Sequence, residues 1–268
     1  MRYQQFFPPE RLKKYVKYFW ILESGEQEPQ DKSFLIIPDG SPGLIFQEVC
    51  SFTDDLGILL PQLFIYGQTT KPTQQKVNSR FKTIGAYFYP YALPSLFGID
   101  AQETTNQNID VGSFQKIENV LNQLLGTPSD TEKIRLLSDY LVTVLEKNRS
   151  QQECQIRSIV SQITIQHGLI NLSELPQHYS VSKRTLERRF LESIGVTAKF
   201  FARLIRFQSS LNLIRQGCFE KFSDIAYTYD YADQCHFIRD FKEFSGITPK
   251  HFLRQCKEMV SNYPELIA

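Results

Sequence analysis

The sequence predicts an α+β chain. A β-rich barrel or sandwich comes first, two connecting helices follow, and an all-α carboxy-terminal region holds two similar helical units joined by a long helix. Three observations predict this. Short aromatic and β-branched runs, divided by turn residues, fill residues 1–110. Near residue 113 the apolar spacing changes to steps of three and four. Beyond residue 170 a pattern of apolar, glycine and threonine positions recurs at a constant offset of 51.

The strand runs are Phe34-Leu35-Ile36-Ile37, Leu44-Ile45-Phe46, Leu63-Phe64-Ile65-Tyr66 and Thr83 to Phe88. Pro38-Asp39-Gly40 and Ser41-Pro42-Gly43 are turn signals between them. Glu10 to Trp20 reads as an initial helix, or as a helix leading into a strand. Over 113–148 two helices are expected. Phe114, Ile117, Leu121 and Leu124 form one apolar seam, and Ile134, Leu137, Leu141 and Val144 a second, with Gly126-Thr127-Pro128 between and Ser129 or Asp130 as N-cap. These seams either pack on the β-rich domain or form a homodimer interface. Asn148 to Glu153 is polar and marks a linker, which divides the chain into domains 1–150 and 151–268. Ile156, Ile159, Val160 and Ile163 then give an amphipathic helix.

The repeat is the most informative feature. Leu186, Phe190, Gly195, Thr197 and Phe201 correspond to Phe237, Phe241, Gly246, Thr248 and Phe252, and Arg188 and Glu192 correspond to Arg239 and Glu243. Upstream the offset is 50, with Leu172-Ser173-Glu174-Leu175 matching Phe222-Ser223-Asp224-Ile225. Each copy, about 172–195 and 222–246, is a short helix, a turn, a longer helix, a glycine stop and a new helix start. Ser182 and Asp233 suit the N-cap of the longer helix, because their side-chain oxygens can accept from its free N–H groups. Gly195 and Gly246 suit the left-handed position that ends it. Thr197 and Thr248 cap the next helix, with Pro249 at its first position. A long helix from about Ala198 to Arg215 joins the copies.

The whole-chain net charge of +1 hides an uneven distribution. Residues 1–150 are net −2 and residues 151–268 net +3, and the stretch 181–215 carries eight basic residues against Glu187 and Glu192. That is either a solvated face or the footprint of a polyanion. With the apolar positions turned inward, Lys183, Arg184, Glu187 and Arg188 are left facing out in the first copy. In the second they are Gln234, Cys235, Ile238, Arg239 and Lys242. Arginine and glutamine can bond in bidentate fashion to guanine and adenine edges, and Ile238 can meet a thymine methyl. A helix entering the major groove by its N-terminal half presents such residues to double-stranded promoter DNA. Arg203 and Arg206 on the joining helix are expected at phosphates. His236 lies beside the core and is read as structural, and Arg239 has Asp224 as an alternative internal partner.

The run Asp233-Gln234-Cys235-His236-Phe237-Ile238-Arg239-Asp240-Phe241-Lys242, followed by Gly246-Ile247-Thr248-Pro249 and Phe252-Leu253-Arg254, closely resembles the signature of AraC/XylS-type transcription regulators. The segment Ser182 to Phe190 fits the same family, and the resemblance covers about 155–257. It implies that the second helix of each unit reads adjacent major-groove segments, with base contacts at Arg184, Glu187, Arg188, Gln234, Cys235, Ile238 and Arg239. Three departures stand out. Ser180 and Asp230 occupy the turn where the family usually has glycine. Pro176 stands where the second copy has Ala226, which requires that helix to begin near Ser173. Glu187 turns a negative charge toward the groove, to accept from a cytosine amino group or to pair with Lys183 or Arg188.

The resemblance implies that the first domain senses a small-molecule effector or mediates dimerisation. Trp20, Pro38-Asp39-Gly40, Gly67-Gln68-Thr69-Thr70 and Gly85 to Pro90 are similar to an uncharacterised amino-terminal domain of some of these regulators. An effector would meet a mostly apolar pocket, with Tyr66, Tyr87 and Tyr89 as candidate liners or as core. The alternative is a constitutive or partner-controlled DNA-binding protein with a ligand-free first domain. No enzyme is expected, and neither is a metal or cofactor. The four histidines all lie in the carboxy-terminal part, which leaves residues 1–110 without a histidine-based site. Cys50, the one cysteine before Cys154, has no flanking His or Arg to activate it. Five scattered cysteines (the others are Cys218, Cys235 and Cys256) fit reduced thiols. Met1-Arg2-Tyr3-Gln4 opens no apolar leader, and no apolar run of about 18 residues occurs, so a cytoplasmic protein without a membrane span is expected.

Overall fold

The computed structural model describes residues 1–25, 31–148 and 153–258. Residues 149–152 of the expected linker and the side chain of Cys256 lie outside that description. The amino-terminal part holds two antiparallel sheets. The larger has six strands: β1 (Arg2–Phe6), β2 (Val16–Glu23), β4 (Gly43–Gln47), β6 (Leu63–Tyr66), β8 (Lys82–Phe88) and β9 (Asn108–Asp110), in the spatial order β1-β2-β8-β4-β6-β9. The smaller contains β3 (Lys32–Ile36), β5 (Phe52–Thr53) and β7 (Thr73–Val77), in the order β3-β7-β5. Neither sheet closes on itself, so of the two expected architectures the barrel does not form.

Both faces of the six-stranded sheet are covered, and the period of two along each strand sorts its side chains. Phe19 and Ile21, Leu44 and Phe46, Leu63 and Ile65, and Ile84, Ala86 and Phe88 point to one side. There they meet α1 (Ala92–Phe97) and, past the short α2 (Ala101–Thr104), α3 (Glu118–Gly126) and α4 (Asp130–Lys147). Trp20 and Leu22, Ile45, Phe64 and Tyr87 point to the other side and pack with Phe34, Phe52 and Val77 of the small sheet.

This packing decides how the two seams of residues 113–148 are used. Ile117, Leu124, Ile134, Leu137, Leu141 and Val144 are all buried in the core of their own domain. That apolar surface is turned to the domain's own sheet, so of the two readings of the seams it is internal helix-on-sheet packing that these residues make. Phe114 and Ile117 precede α3 rather than belong to it. The helix expected from Glu10 is a single 3-10 turn (Glu10–Leu12), after which the chain enters β2.

A partly buried ion-pair cluster pins α4 to the sheet. Lys133 on α4 is almost fully buried and pairs with Glu48, while Lys82 of β8 reaches Asp130 at 2.5 Å and Glu48 at 3.7 Å. Lys133→Met is expected to cost about 2 kcal/mol, below the full penalty of a broken buried pair because Lys82 still serves Glu48. Thermal unfolding measures it, and adding Glu48→Gln is expected to recover most of the loss. An undiminished loss in the double variant would show that Lys133 acts through packing alone.

Candidate nucleic-acid interface

Among its described residues the carboxy-terminal region holds helices and the turns between them. It runs through α5 (Glu153–Ile165), α6 (Leu175–His178), α7 (Lys183–Ile194), α8 (Ala198–Gln216), α9 (Phe222–Thr228), α10 (Gln234–Ser245) and α11 (Pro249–Glu258). The first unit is α6-turn-α7 and the second α9-turn-α10, with α8 between them. Each has its own core. Ile156, Ile159, Val160 and Ile163 of α5 close the first, with Leu186, Phe190 and Phe201. Phe237, Phe241 and Phe244 fill the second against Leu204, Phe207 and Leu211 of α8.

The two turns have the same hydrogen-bond pattern, fifty residues apart. Val181 N donates to the Pro176 carbonyl at 3.0 Å, and Tyr231 N to the Ala226 carbonyl at 2.9 Å. Ser180 and Asp230 sit in the left-handed region at φ 53° and 51°. Serine there carries a steric cost that glycine would avoid. Pro176 does no damage because it lies in the first turn of α6, where its missing N–H has no partner to lose. The longer helices are capped as their sequences require. Ser182 Oγ accepts from Thr185 N at 3.1 Å and Asp233 Oδ1 from His236 N at 2.6 Å. Gly195 and Gly246 end the helices at φ 89° and 78°.

With caps and cores fixed, the outer faces of α7 and α10 are settled. Lys183, Arg184, Glu187 and Arg188 are exposed on α7, and Gln234, Cys235, Arg239 and Lys242 on α10. The side chains of Arg184, Gln234 and Lys242 hold no hydrogen bond or ion pair among the described residues. Arg239 makes only an Nε bond of 3.4 Å to the Cys235 carbonyl there, and Asp224 instead accepts from Lys221 N. Glu187 faces Lys183 at 3.9 Å, and Arg188 is bound to Glu192 at 2.8 Å; both pairs are solvent-exposed and correspondingly weak.

Three expected contact residues sit differently. Ile238 is half-buried against the core of the second unit rather than presented to solvent. Arg203 is not a free phosphate cation: its Nη2 lies 2.7 Å from Asp240 and 2.8 Å from Glu243, tying α8 to α10. Burial opposes its charge, but the two carboxylates outweigh that and hold its pKa above the ordinary value. Arg206 lies over the Tyr231 ring at 5.4 Å and reaches the Asp230 carbonyl at 3.4 Å, bracing the turn of the second unit. Burial pushes the Tyr231 phenol up to about 12, so it stays neutral. Sequence reasoning missed Asp240 as the anchor of Arg203. The available signal was a carboxylate inside the Phe237-Phe241-Phe244 core face, which requires a cationic partner.

Two tandem helix-turn-helix units on a shared helix, each with its outer helix face polar and open, define a DNA-binding domain. Residues 175–255 match the model of a helix-turn-helix domain, and residues 4–110 match a domain of unknown function, DUF6597. The chain thus carries an AraC-type helix-turn-helix domain, of the kind found in transcription regulators, behind a β-rich domain without an assigned role. Among curated proteins it is similar to uncharacterized HTH-type transcriptional regulators of Staphylococcus aureus strains MSSA476 and MRSA252, each 32% identical over 87 residues, or 32% of this chain. The match spans 11% of those relatives' length. Among solved structures, ToxT from Vibrio cholerae aligns with a TM-score of 0.49 at 12% identity, covering 87% of this chain and 98% of ToxT. A fatty-acid-bound ToxT aligns at 0.44 and 15%, covering 91% and 98%, and the AraC-like activator CuxR at 0.28 and 13%, covering 78% and 94%.

The amino-terminal domain holds a cavity of about 530 Å³ between its two sheets and the carboxy-terminal domain. Trp20, Ile45, Leu60, Tyr66 and Tyr87 line its sheet side. Tyr89, expected with them, instead stacks on Tyr91 at 5.7 Å and packs against the core of the first helix-turn-helix unit. Cys50 is half-buried and burial raises its thiol pKa, the opposite of activation. Among the described residues no cluster of His, Cys, Asp or Glu could hold a metal, and no helix is long and apolar enough to cross a membrane.

Proposed function

We propose that the protein is a cytoplasmic, sequence-specific transcription regulator whose residues 151–268 bind double-stranded promoter DNA through both units. The observation that carries this reading is the repeated outer face. Two helices with the same caps and the same buried spacing both leave polar and cationic side chains exposed and sparsely bonded at their N-terminal halves. Arg184, Arg188, Gln234 and Arg239 are the base-reading candidates. Lys183, Glu187, Cys235 and Lys242 flank them. Arg239→Ala is expected to cost about 1–3 kcal/mol on the preferred sequence and to relax preference at one base pair, measured by selecting duplexes from a random pool. Lys242→Ala is expected to weaken all sequences alike and to lower the salt slope by about one unit. Absence of salt-dependent duplex binding at low ionic strength would refute the proposal.

Residues 1–150 are proposed to form an effector-sensing domain. The cavity favours this over a constitutive regulator with a solid first domain, because its volume and mixed apolar and polar lining suit a small molecule.

A further inference from the structure

The cavity has an aromatic floor, and the strand register builds it. Directly paired residues of an antiparallel sheet point to the same face. One row across the large sheet runs Tyr18, Tyr87, Gly43, Tyr66. The neighbouring row on the same face runs Trp20, Gly85, Ile45, Phe64. Tyr18 and Tyr87 stack with their ring centres 4.9 Å apart. In each row the glycine leaves a space that a ring fills. A Cβ on Gly43 would stand in the Tyr66 phenol, and one on Gly85 in the Trp20 indole, so both rings lie over bare backbone. Three tyrosines and the tryptophan thereby share one wall of the cavity.

The charges around that wall are unbalanced. Asp39, Asp54 and Asp55 line the cavity, against Arg215 as the one cation among the described lining residues. Arg215 is engaged elsewhere, with its guanidinium 5.8 Å from the centre of the Phe252 ring. Asp39 is engaged by the protein too. It accepts from the Tyr87 hydroxyl and from Ser41 N, and Lys17 donates to Ser41 Oγ while lying 4.8 Å from the centre of the Tyr87 ring. Asp54 and Asp55 differ, since neither forms an ion pair among the described residues. Asp54 spends one oxygen on Leu56 N and Ile58 N of its own loop. That loop also brings Leu56, Ile58 and Leu59 to the cavity, all more than half exposed to water. Carboxylates without a cation, aromatic rings and uncovered apolar side chains thus meet in one place.

We infer that the cavity takes an amphiphilic organic cation, an ammonium or similar group carrying an apolar body. A positive group is drawn to tyrosine and tryptophan faces by their quadrupole, and more strongly once it has left water. Asp54 and Asp55 supply the counter-charge that such a group needs on leaving water. Its apolar body covers Leu56, Ile58 and Leu59, which otherwise face solvent. An anion of the same size meets three carboxylates and a single guanidinium, and a neutral molecule gains the apolar part alone. This ligand class rests on the effector-sensing reading of residues 1–150 and adds to it the sign of the charge that the site selects.

Trp20 is the chain's one tryptophan, so its emission reports on the cavity wall directly. The full chain is titrated with octyltrimethylammonium, 1-octanol and octane-1-sulfonate, which share an eight-carbon chain and differ in charge. The cation is expected to shift Trp20 emission and to bind about 10-fold or more tighter than either of the others. The double variant Asp54→Asn/Asp55→Asn keeps an acceptor oxygen for the loop at position 54. It is expected to lose most of that preference while binding 1-octanol as before, which also shows that the cavity is intact. If 1-octanol or the sulfonate binds as tightly as the cation, the cationic class is overturned and the effector-sensing reading stands. An undiminished preference in the double variant overturns the assignment to Asp54 and Asp55. No response to any of the three ligands counts against the effector-sensing reading as well as against the cation.

Discussion

Arg203→Ala is expected to destabilise the carboxy-terminal domain by about 2–3 kcal/mol, at the lower end for a broken buried ion pair because Arg203 keeps some contact with water. Asp240 is 4% exposed, and its second oxygen already lacks a hydrogen bond among the described residues. Removing the guanidinium leaves a buried carboxylate without its partner, and the carboxy-terminal half of α10 loses its tie to α8. The unfolding midpoint of a domain of this size is expected to fall by roughly 10 °C. Duplex affinity is expected to drop for every sequence, because a loosened α10 presents all its residues less well. The slope of log affinity against log salt is expected to stay unchanged, whereas loss of a phosphate contact would lower it by about 0.9. A reduced slope with an unchanged midpoint would return Arg203 to the DNA. The double variant Arg203→Met/Asp240→Leu is expected to regain most of the stability, since well-packed apolar side chains often replace a buried pair without loss.

The second large effect is expected at Gly195. Its φ of 89° lies where a side chain costs about 1–2 kcal/mol on its own. A Cβ there would stand 2.5 Å from Thr105 Oγ1 and 2.7 Å from the Ala101 carbonyl oxygen, both on the amino-terminal domain. Gly195→Ala must therefore push the domains apart or bend α7, and is expected to cost about 3 kcal/mol in all. Gly246→Ala shares the backbone cost, but its Cβ would meet only Pro72 Cγ at 3.3 Å, so about 1–2 kcal/mol is expected. Urea unfolding of the two variants measures the difference. Equal costs would mean that the first domain does not bear on the end of α7.

The strands β4, β6 and β8 are buried on both faces and read as apolar runs. The β7 strand reads Thr73-Gln74-Gln75-Lys76-Val77, with Gln74 and Lys76 exposed, and β1 is a polar edge strand; neither carries an apolar signal. Helix α1 holds Pro94 among its six residues, which masks it as a turn. The helix-turn-helix units were legible because their determinants are local: an N-cap, a core spacing of four, a glycine stop and a capping threonine all lie within about 25 residues of chain. Arginines on α8 could not be assigned in this way. Whether a cation meets DNA or a carboxylate depends on what the neighbouring helix brings to it, and Asp240 lies 37 residues from Arg203.

Caps, periodicity and left-handed turns act over short range, so the amino-acid order already specifies a duplicated helical unit with an outward polar face. It also determined a β-rich partner without histidines for a metal. That the seams of residues 113–148 are internal, that Arg203 and Arg206 brace the second unit, and that Thr105 and Pro72 rest on the ends of α7 and α10 follows from the folded packing alone. These outcomes depend on contacts between segments far apart in the chain, and no local propensity encodes them.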